Sequence, residues 1–399
     1  MKKLLSLALV LVLALTCMSF ASADDEFMLG VILLHDEDSP YDLNFIKAVY
    51  EAAEVLGLDT EDQVIIKRNI PESNEVYETA CDLVDEGCKV IFADSFGHES
   101  YLLEAAKEFP EVEFCHATGT MAHTENVANF HNAFASIYEG RYVAGIAAGM
   151  KLNELKAAGA LKGEVPMMGY VGAFTYAEVI SGYTSFYLGA KSVCPDVIMK
   201  VQFTGSWLDE KEEKAAAEAL IAAGCDLISQ HADSMGAPTA CENAGIPNVA
   251  YNAPTVESCP NTCIISSRIN WAPYFEYIAT SAMNGEAMPA DWSGNILSGS
   301  VMLSDVNEKA AAAGTIEAVN AAIEEFKLGN IKVFDTAKEN FITVNGAALT
   351  SYIADVDTDA AYTPDTEVIS DGYFHESEFR SAPYFDIQID GIELLNSAF

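Results

Sequence analysis

Side chains that can bind an aromatic ring recur where the predicted strands of this sequence end. An aromatic residue stands near a carboxylate or an amide in these loops, as in Tyr41 with Asp38 and Trp207 with Asp209. Aromatic faces pack on flat heterocycles, while carboxylate and amide groups bind the donors and acceptors along their edges. One such ring alone is more often ordinary packing, so it is the repetition that predicts a ligand site. The candidate residues are Asp38, Tyr41, Asp42, Phe96, His98, Phe174, Trp207, Asp209, Asp233 and Asn252.

The elements that must position these residues are alternating strands and helices. Short apolar runs, such as residues 27–34 and 89–93, are separated by amphipathic stretches, and the pattern restarts at residue 165. Continuous apolar strands between helices predict parallel sheets that are covered on both faces. The predicted fold class is therefore α/β, with two doubly wound parallel-sheet lobes and a small C-terminal appended module.

The chain crosses between the two predicted lobes more than once. We assign residues 24–145 and 270–290 to lobe 1, and residues 146–269 and 291–305 to lobe 2. Residues 306–399 are predicted to form a helix and a C-terminal extension packed on the lobes, with a hairpin turn at Asn345-Gly346. Ligands of open parallel sheets bind beyond the carboxyl ends of the strands, so two facing edges predict a cleft that closes by a hinge.

The first 23 residues have the layout of a secretory signal peptide. Lys2 and Lys3 precede an uncharged apolar run that ends in the small residues Ala21-Ser22-Ala23. We expect an exported protein, either periplasmic or at the cell surface. Lipidation at Cys17 and a disulfide between Cys259 and Cys263 remain open.

The charge of the chain argues against several partners. The 60 acidic residues outnumber the 21 basic ones, for a formal net charge of −39. Such a chain is repelled by nucleic acid and by anionic membranes. We therefore expect no nucleic-acid partner. The other expectations are a small-molecule ligand and a monomer.

The sequence shows no recognisable catalytic or cofactor motif. Nucleophile-elbow, phosphate-loop, dinucleotide and zinc-protease signatures are all absent. His98 and His231 meeting across a cleft would be the best enzymatic arrangement. The acidic run at Asp355, Asp357 and Asp359 lacks the glycine and glutamate of a calcium loop. We expect no enzyme activity, no cofactor and no metal.

Several longer stretches carry a resemblance to a known family. They are residues 109–119, residues 138–145, Gly-Ser-Trp-Leu-Asp at 205–209, Gln-His-Ala-Asp at 230–233, and Asn-Trp-Ala-Pro-Tyr at 270–274. Together they resemble the basic membrane protein family of ABC-transporter substrate-binding proteins, over roughly residues 27–305. The resemblance implies the type I periplasmic-binding-protein fold, uptake of purine nucleosides or bases, and a membrane permease as partner. Residues 94–97 and 270–274 are more similar to the purine-base-binding branch.

The same resemblance implies roles for individual residues. Tyr41, with Asp38, matches the family's Asp-x-x-aromatic motif, and Trp207 matches the aromatic residue of its Gly-Ser-aromatic-x-Asp motif. These two rings would sandwich the base from opposite lobes. The implied pocket edges and polar contacts come from Phe96 and His98 in lobe 1 and from Asp233 and Asn252 in lobe 2.

Two departures from the family pattern bear on the ligand. Residues 251–254 read Tyr-Asn-Ala-Pro where nucleoside-binding members carry an acidic loop, and Arg268 and Ile269 stand nearest the place of a lysine. Those groups contact ribose in the family, so their absence favours a free purine base. The alternatives that remain are a ligand-sensing ectodomain partner and, less favoured, a secreted nucleoside hydrolase.

Overall fold

The computed structural model describes residues 26–357, 359 and 361–397 of the chain. The predicted signal peptide and Cys17 lie outside these residues. Within them, no helix is both long and apolar enough to cross a membrane.

The first sheet has six strands, all parallel. Its order is β11-β5-β4-β3-β1-β2. Three of its strands are buried along their whole length, as expected when helices cover both faces. The strands are β1 Leu29–Ile32, β2 Val64–Lys67, β3 Val90–Ala93, β4 Glu113–Ala117, β5 Phe130–Ala135 and β11 Asp291–Gly294. The helices that follow them are α1 Pro40–Leu56, α2 Glu75–Asp85, α3 Glu99–Glu108 and α4 Ala122–Glu125.

The second sheet has seven strands in the order β12-β10-β9-β8-β6-β7-β19, and only β12 runs antiparallel to its neighbour. The strands are β6 Met167–Gly172, β7 Ile198–Phe203, β8 Leu227–His231, β9 Asn248–Tyr251, β10 Cys263–Ile269, β12 Val301–Leu303 and β19 Ile392–Leu394. The helices are α5 Ile137–Ala157, α6 Ala177–Val193, α7 Glu210–Ala222 and α8 Gly236–Ala244. The predicted fold class of two doubly wound lobes is confirmed.

The chain crosses between the sheets after β5, after β10 and after β11. Helix α9, Ala272–Asn284, returns to the first lobe and packs on α1, where Trp271 stacks on Phe45 with ring centroids 4.6 Å apart. Two observed positions differ from the expected boundaries. Strand β11 pairs with β5 in the first sheet, whereas the sequence pattern places residues 291–305 in lobe 2. Helix α5 packs on α6 and β10, and Arg141 near its start donates a hydrogen bond to Ser267 of β10 (3.3 Å), so the second lobe begins before residue 146.

The C-terminal extension, residues 329–397 of the described chain, follows helix α10, Thr315–Lys327. The predicted hairpin is confirmed, because β13 Thr343–Val344 and β14 Ala347–Ala348 pair across Asn345-Gly346. Two further small antiparallel pairs follow. They join β15 Ile353–Ala354 with β16 Thr366–Glu367, and β17 Ile369–Ser370 with β18 Tyr373–Phe374. All eight cysteines of the described chain, including Cys259 and Cys263, are free thiols.

The extension contacts both lobes. In the first lobe, Ser381 Oγ donates a hydrogen bond to Asp291 Oδ1 (2.5 Å). In the second, β19 pairs with β7 as an edge strand, and Asn396 exchanges hydrogen bonds of 2.8 and 2.9 Å with the backbone of Phe203. The extension therefore spans the joint between the lobes.

Candidate functional site

The carboxyl ends of both sheets surround one cavity. The space between them measures about 390 Å³ when its opening to solvent is included. Lobe 1 lines it with loops that follow β1, β3 and β4, and lobe 2 with α6 and with loops that follow β7, β8 and β9. The lining residues are Leu34, His35, Tyr41, Ser95, Phe96 and Thr118 from lobe 1, and Glu178, Trp207, His231, Asp233 and Tyr251 from lobe 2.

Tyr41 is held in place from two sides. It lies in the first turn of α1, and its hydroxyl donates a hydrogen bond to the backbone carbonyl of Asp94 (2.7 Å). The edge of its ring packs on Phe45, with centroids 5.0 Å apart and planes 70° apart. The ring is thereby fixed before any ligand arrives.

Trp207 is supported by other rings of the second lobe. Phe174 packs edge-on against it at 5.1 Å, and Tyr176 lies 6.0 Å away. Phe174, one of the predicted site residues, does not line the cavity itself. It packs against Trp207 and supports that side chain. Phe96 reaches across from the first lobe and contacts Tyr176 at 5.2 Å, which brings the two lobes together at this edge.

Asp233 and Asn252 form a hydrogen-bonded pair beneath the cavity. Asn252 adopts a positive φ of 63°, and its amide donates to Asp233 Oδ1 (3.1 Å). Its side-chain oxygen accepts a bond of 3.4 Å from Asn44 of the first lobe. Burial, together with the nearby charge of Glu213, holds the pKa of Asp233 well above its usual range. Only Asp233 of this pair faces the cavity.

Besides Phe174 and Asn252, four more of the predicted residues lie outside the cavity lining. Asp38 is exposed, and Asp209 caps α7 by accepting a bond from the Glu212 amide (3.0 Å). Asp42 is buried and accepts hydrogen bonds from Ser39 Oγ (2.5 Å) and the His35 amide (2.8 Å). The carboxylates of Asp42 and Asp209 stabilise these loops, because an Asp at the N-cap or in the first turn of a helix accepts hydrogen bonds from donors left free there.

His98 is the fourth, and it faces the interior. Its Nε2 bonds the carbonyl of Ile70 (2.9 Å), and burial lowers its pKa to about 4. The imidazole is therefore neutral at physiological pH. Since His98 does not reach the cavity, the predicted meeting with His231 across the cleft does not occur.

Lining residues that sequence reasoning left out include Glu178 and Tyr251. Glu178 Oε1 lies 3.3 Å from His231 Nε2, and the His231 ring packs on Tyr251 at 4.3 Å. Glu178 could have been predicted from its position in the first turn of the helix that follows β6, because that turn faces the cleft. Beneath the floor, the buried Arg141 lies 5.3 Å from the Tyr251 ring and donates to Ser229 Oγ (2.6 Å).

This arrangement can be compared with proteins that are already known. The family model for ABC transporter substrate-binding proteins that are PnrA-like, named Bmp, matches residues 29–325. The chain belongs to this family. A purine-binding protein of Brucella abortus is 32% identical over 266 residues, which cover 66% of this chain and 71% of that protein.

A second relative and a solved structure are also similar to this chain. A putative ABC transporter glucose-binding protein of Haloferax volcanii is 34% identical over 206 residues, and the match spans about half of each chain, 51% and 49%. An ABC transporter solute-binding protein of Aeropyrum pernix aligns with a TM-score of 0.64 at 18% identity, covering 79% of this chain and 95% of that one. This structural likeness supports the type I periplasmic-binding-protein fold.

The match to the Bmp family ends before the C-terminal extension begins. The extension nevertheless reaches the mouth of the cleft, where Arg380, Ala382, Pro383 and Asp386 face Phe96 and other residues of the lobes. The mouth of this site is therefore bordered by residues that the family match does not include.

Proposed function

We propose that this chain is the exported solute-binding protein of an ABC importer and that it captures a purine base or nucleoside between its lobes. The observation that carries the proposal is that Tyr41 and Trp207 line one cavity from opposite lobes. A flat ring bound there would contact both side chains only when the lobes are together, so binding would favour closure.

Polar groups beside the two rings suit the edge of a purine. Glu178 can accept hydrogen bonds from ring N–H and amino groups. Asp233, whose raised pKa favours the protonated acid, can both donate and accept. Such a mixture matches a heterocycle that carries both ring nitrogens and N–H groups. The name of the Brucella relative, a purine-binding protein, points the same way.

A sugar is the second candidate ligand, because the Haloferax relative is named as a putative glucose-binding protein. We favour the purine because an aromatic side chain from each lobe is better suited to a flat ring than to a sugar alone. We further propose that the protein performs no chemistry on its ligand, since His98 faces away from the cavity. Release would be to a membrane permease, after export directed by residues 1–23.

Calorimetry on the protein, unfolded and refolded to remove bound ligand, tests this proposal. The titrants are adenine, hypoxanthine, guanine, adenosine, inosine, ribose and glucose. We expect heat from at least one purine compound and none from ribose or glucose alone. Binding of glucose without any purine would replace the proposed ligand class, and silence across all the titrants would contradict the aromatic sandwich.

A further inference from the structure

The C-terminal extension is built into the second lobe. Its strand β19 extends the second sheet beside β7, where the Met199 amide donates a hydrogen bond to the carbonyl of Gly391 (2.9 Å). The Tyr183 hydroxyl of α6 donates to Gln388 Oε1 of the extension (3.3 Å). A paired edge strand fixes the extension to lobe 2, so we expect the two to move as one body.

The extension also reaches lobe 1, at the start of strand β11. The carboxylate of Asp291 accepts hydrogen bonds from the backbone amide of Ser381 and from its Oγ, the latter 2.5 Å long. His123 of α4 has its Nε2 3.0 Å from Oδ2 of the same carboxylate. The Asp291 side chain is 10% exposed, so these charge-assisted bonds are largely shielded from water.

A second contact with lobe 1 lies on α4. The Tyr362 hydroxyl is 2.7 Å from Thr124 Oγ1 and donates to Glu125 Oε1 (3.1 Å). These bonds to lobe 1 join side chains, whereas the extension is paired to lobe 2 through a backbone ladder. The contacts with lobe 1 are therefore the ones that separate when the lobes move apart.

The loop that carries Ser381 is braced within the extension. Ser377 Oγ donates to the Ser381 carbonyl (3.0 Å). At the base of the loop, Glu376 Oε2 accepts from the amides of Tyr384 (3.2 Å) and Phe385 (3.0 Å). Ser381 is thus presented to lobe 1 by a loop that holds its own shape.

The lobes are together in this structure, and opening them would strain the contact at Asp291. Phe96 and Tyr176 meet from opposite lobes at 5.2 Å. The chain crosses between the lobes after Gly294, and Asp291 stands three residues before it in β11. At the rise of a strand this is about 10 Å. A rotation about the crossing would therefore carry Asp291 away from Ser381, which stays with lobe 2.

We infer that the C-terminal extension is a latch, anchored in lobe 2, that binds Asp291 and α4 of lobe 1 and holds the lobes together independently of ligand. Opening then requires release of Ser381 and Tyr362. A ligand that needs the closed arrangement binds more tightly as the closed fraction rises, so the latch strengthens binding without touching the ligand. This inference does not depend on which ligand is bound, and the latch lies beyond the residues that match the Bmp family.

Thiol labelling of the ligand-free protein tests the latch. Ser95→Cys places a thiol in the wall of the cavity, where Ser95 is 4% exposed, so a bulky fluorescein maleimide reaches it only when the lobes separate. In this background, Ser381→Ala with Tyr362→Phe removes hydroxyl bonds to lobe 1. We expect labelling at position 95 to become at least about tenfold faster, because hydrogen bonds to carboxylates that favour closure are lost.

Two controls separate opening from other effects. Ser351→Ala with Tyr352→Phe removes the same two kinds of hydroxyl, but these donate to Glu367 and Asp386 within the extension. Labelling should stay within about twofold of the background. The native thiol of Cys115 is fully buried in β4, so its labelling, followed by peptide mass spectrometry in the same samples, reports unfolding of lobe 1.

Each other outcome would overturn the latch. An unchanged labelling rate at position 95 in the Ser381→Ala and Tyr362→Phe variant would mean that these bonds do not hold the lobes. Equal acceleration at position 95 and at Cys115 would mean that the protein unfolds rather than opens. Equal acceleration by the control pair would mean that the bonds to lobe 1 have no special part in closure.

Discussion

At the scale of single residues, the two rings of the cleft differ in how they are held. The Tyr41 hydroxyl is tied to the backbone of Asp94, whereas Trp207 is held by ring packing and by its own backbone carbonyl, which accepts a bond from the Asp233 amide (2.8 Å). Removing the Trp207 side chain therefore leaves the backbone bond to Asp233 intact. This separates the contribution of the indole from that of the loop.

We expect Trp207→Ala to weaken ligand binding by about 1–3 kcal/mol, the scale of a base stacked on an aromatic side chain. Trp207→Phe should recover part of the loss, because a smaller ring still offers a face to the ligand. Calorimetry with the tightest purine ligand measures both. The control is Phe379→Ala, which removes an exposed ring of the extension. An unchanged affinity in Trp207→Ala would remove this residue from the site.

At the scale of elements, the start of α1 places Tyr41 in the cleft. Ser39 is the N-cap, and its hydroxyl accepts from the Asp42 amide (3.2 Å) while donating to the Asp42 carboxylate. Pro40 occupies the first turn, where its missing N–H costs nothing. The orientation of Tyr41 therefore depends on a cap that makes no contact with the cavity.

Ser39→Ala should lower the free energy of unfolding by about 1–2 kcal/mol, because the cap and its bond to a buried carboxylate are both lost. Urea denaturation measures the change. Asn74→Ala is the matched control, since Asn74 stands at the N-cap of α2 but makes no side-chain capping bond there. Equal losses in the two variants would show that the Ser39 bond does not stabilise the helix.

The sequence predicted which segments form strands and helices better than it predicted which strands pair with each other. Apolar runs between helical patterns predicted both sheets, and Asn345-Gly346 predicted the hairpin. These predictions succeed because each pattern depends on residues close together in the sequence. Strand β11, Asp-Trp-Ser-Gly, has no apolar run and joins the first sheet through its pairing with β5. Strand β19 pairs with a strand nearly two hundred residues away. Neither strand pairing can be predicted from the residues around the strand.

The residues that line the cleft could be predicted only in part. Tyr41, Trp207 and Asp233 were predicted from strand-end loops and do line the cavity. Asp42 and Asp209 stand in the same loops, but a carboxylate after a strand can equally well accept hydrogen bonds at the start of the next helix, and spacing does not distinguish this role from ligand binding. The role of the extension was out of reach because its path over the cleft depends on contacts distant in sequence.

At the scale of the whole molecule, the extension is anchored near the joint between the lobes. Glu376 is buried there, and the Tyr138 hydroxyl at the start of α5 donates to its backbone carbonyl (2.9 Å). Its Oε2 accepts bonds from the amides of Tyr384 (3.2 Å) and Phe385 (3.0 Å). Burial raises the pKa of this carboxyl from 4.5 to about 7.

The direction of the resulting pH dependence follows from proton binding. Between its ordinary pKa and about 7, Glu376 holds a proton in the folded protein but not in the unfolded chain. The free energy of unfolding should therefore fall as pH rises through this window, by about 3 kcal/mol from this group. Glu376→Gln cannot ionise, so its stability relative to the wild type should rise over the same interval.

Urea denaturation of both proteins between pH 4.5 and 8 measures this difference. The strongly acidic surface also weakens the folded state as pH rises, so the wild-type curve alone does not isolate Glu376. The surface contribution is common to both proteins and cancels when one curve is subtracted from the other. A flat difference curve for Glu376→Gln would mean that the buried carboxyl is ionised throughout, which its surroundings should prevent.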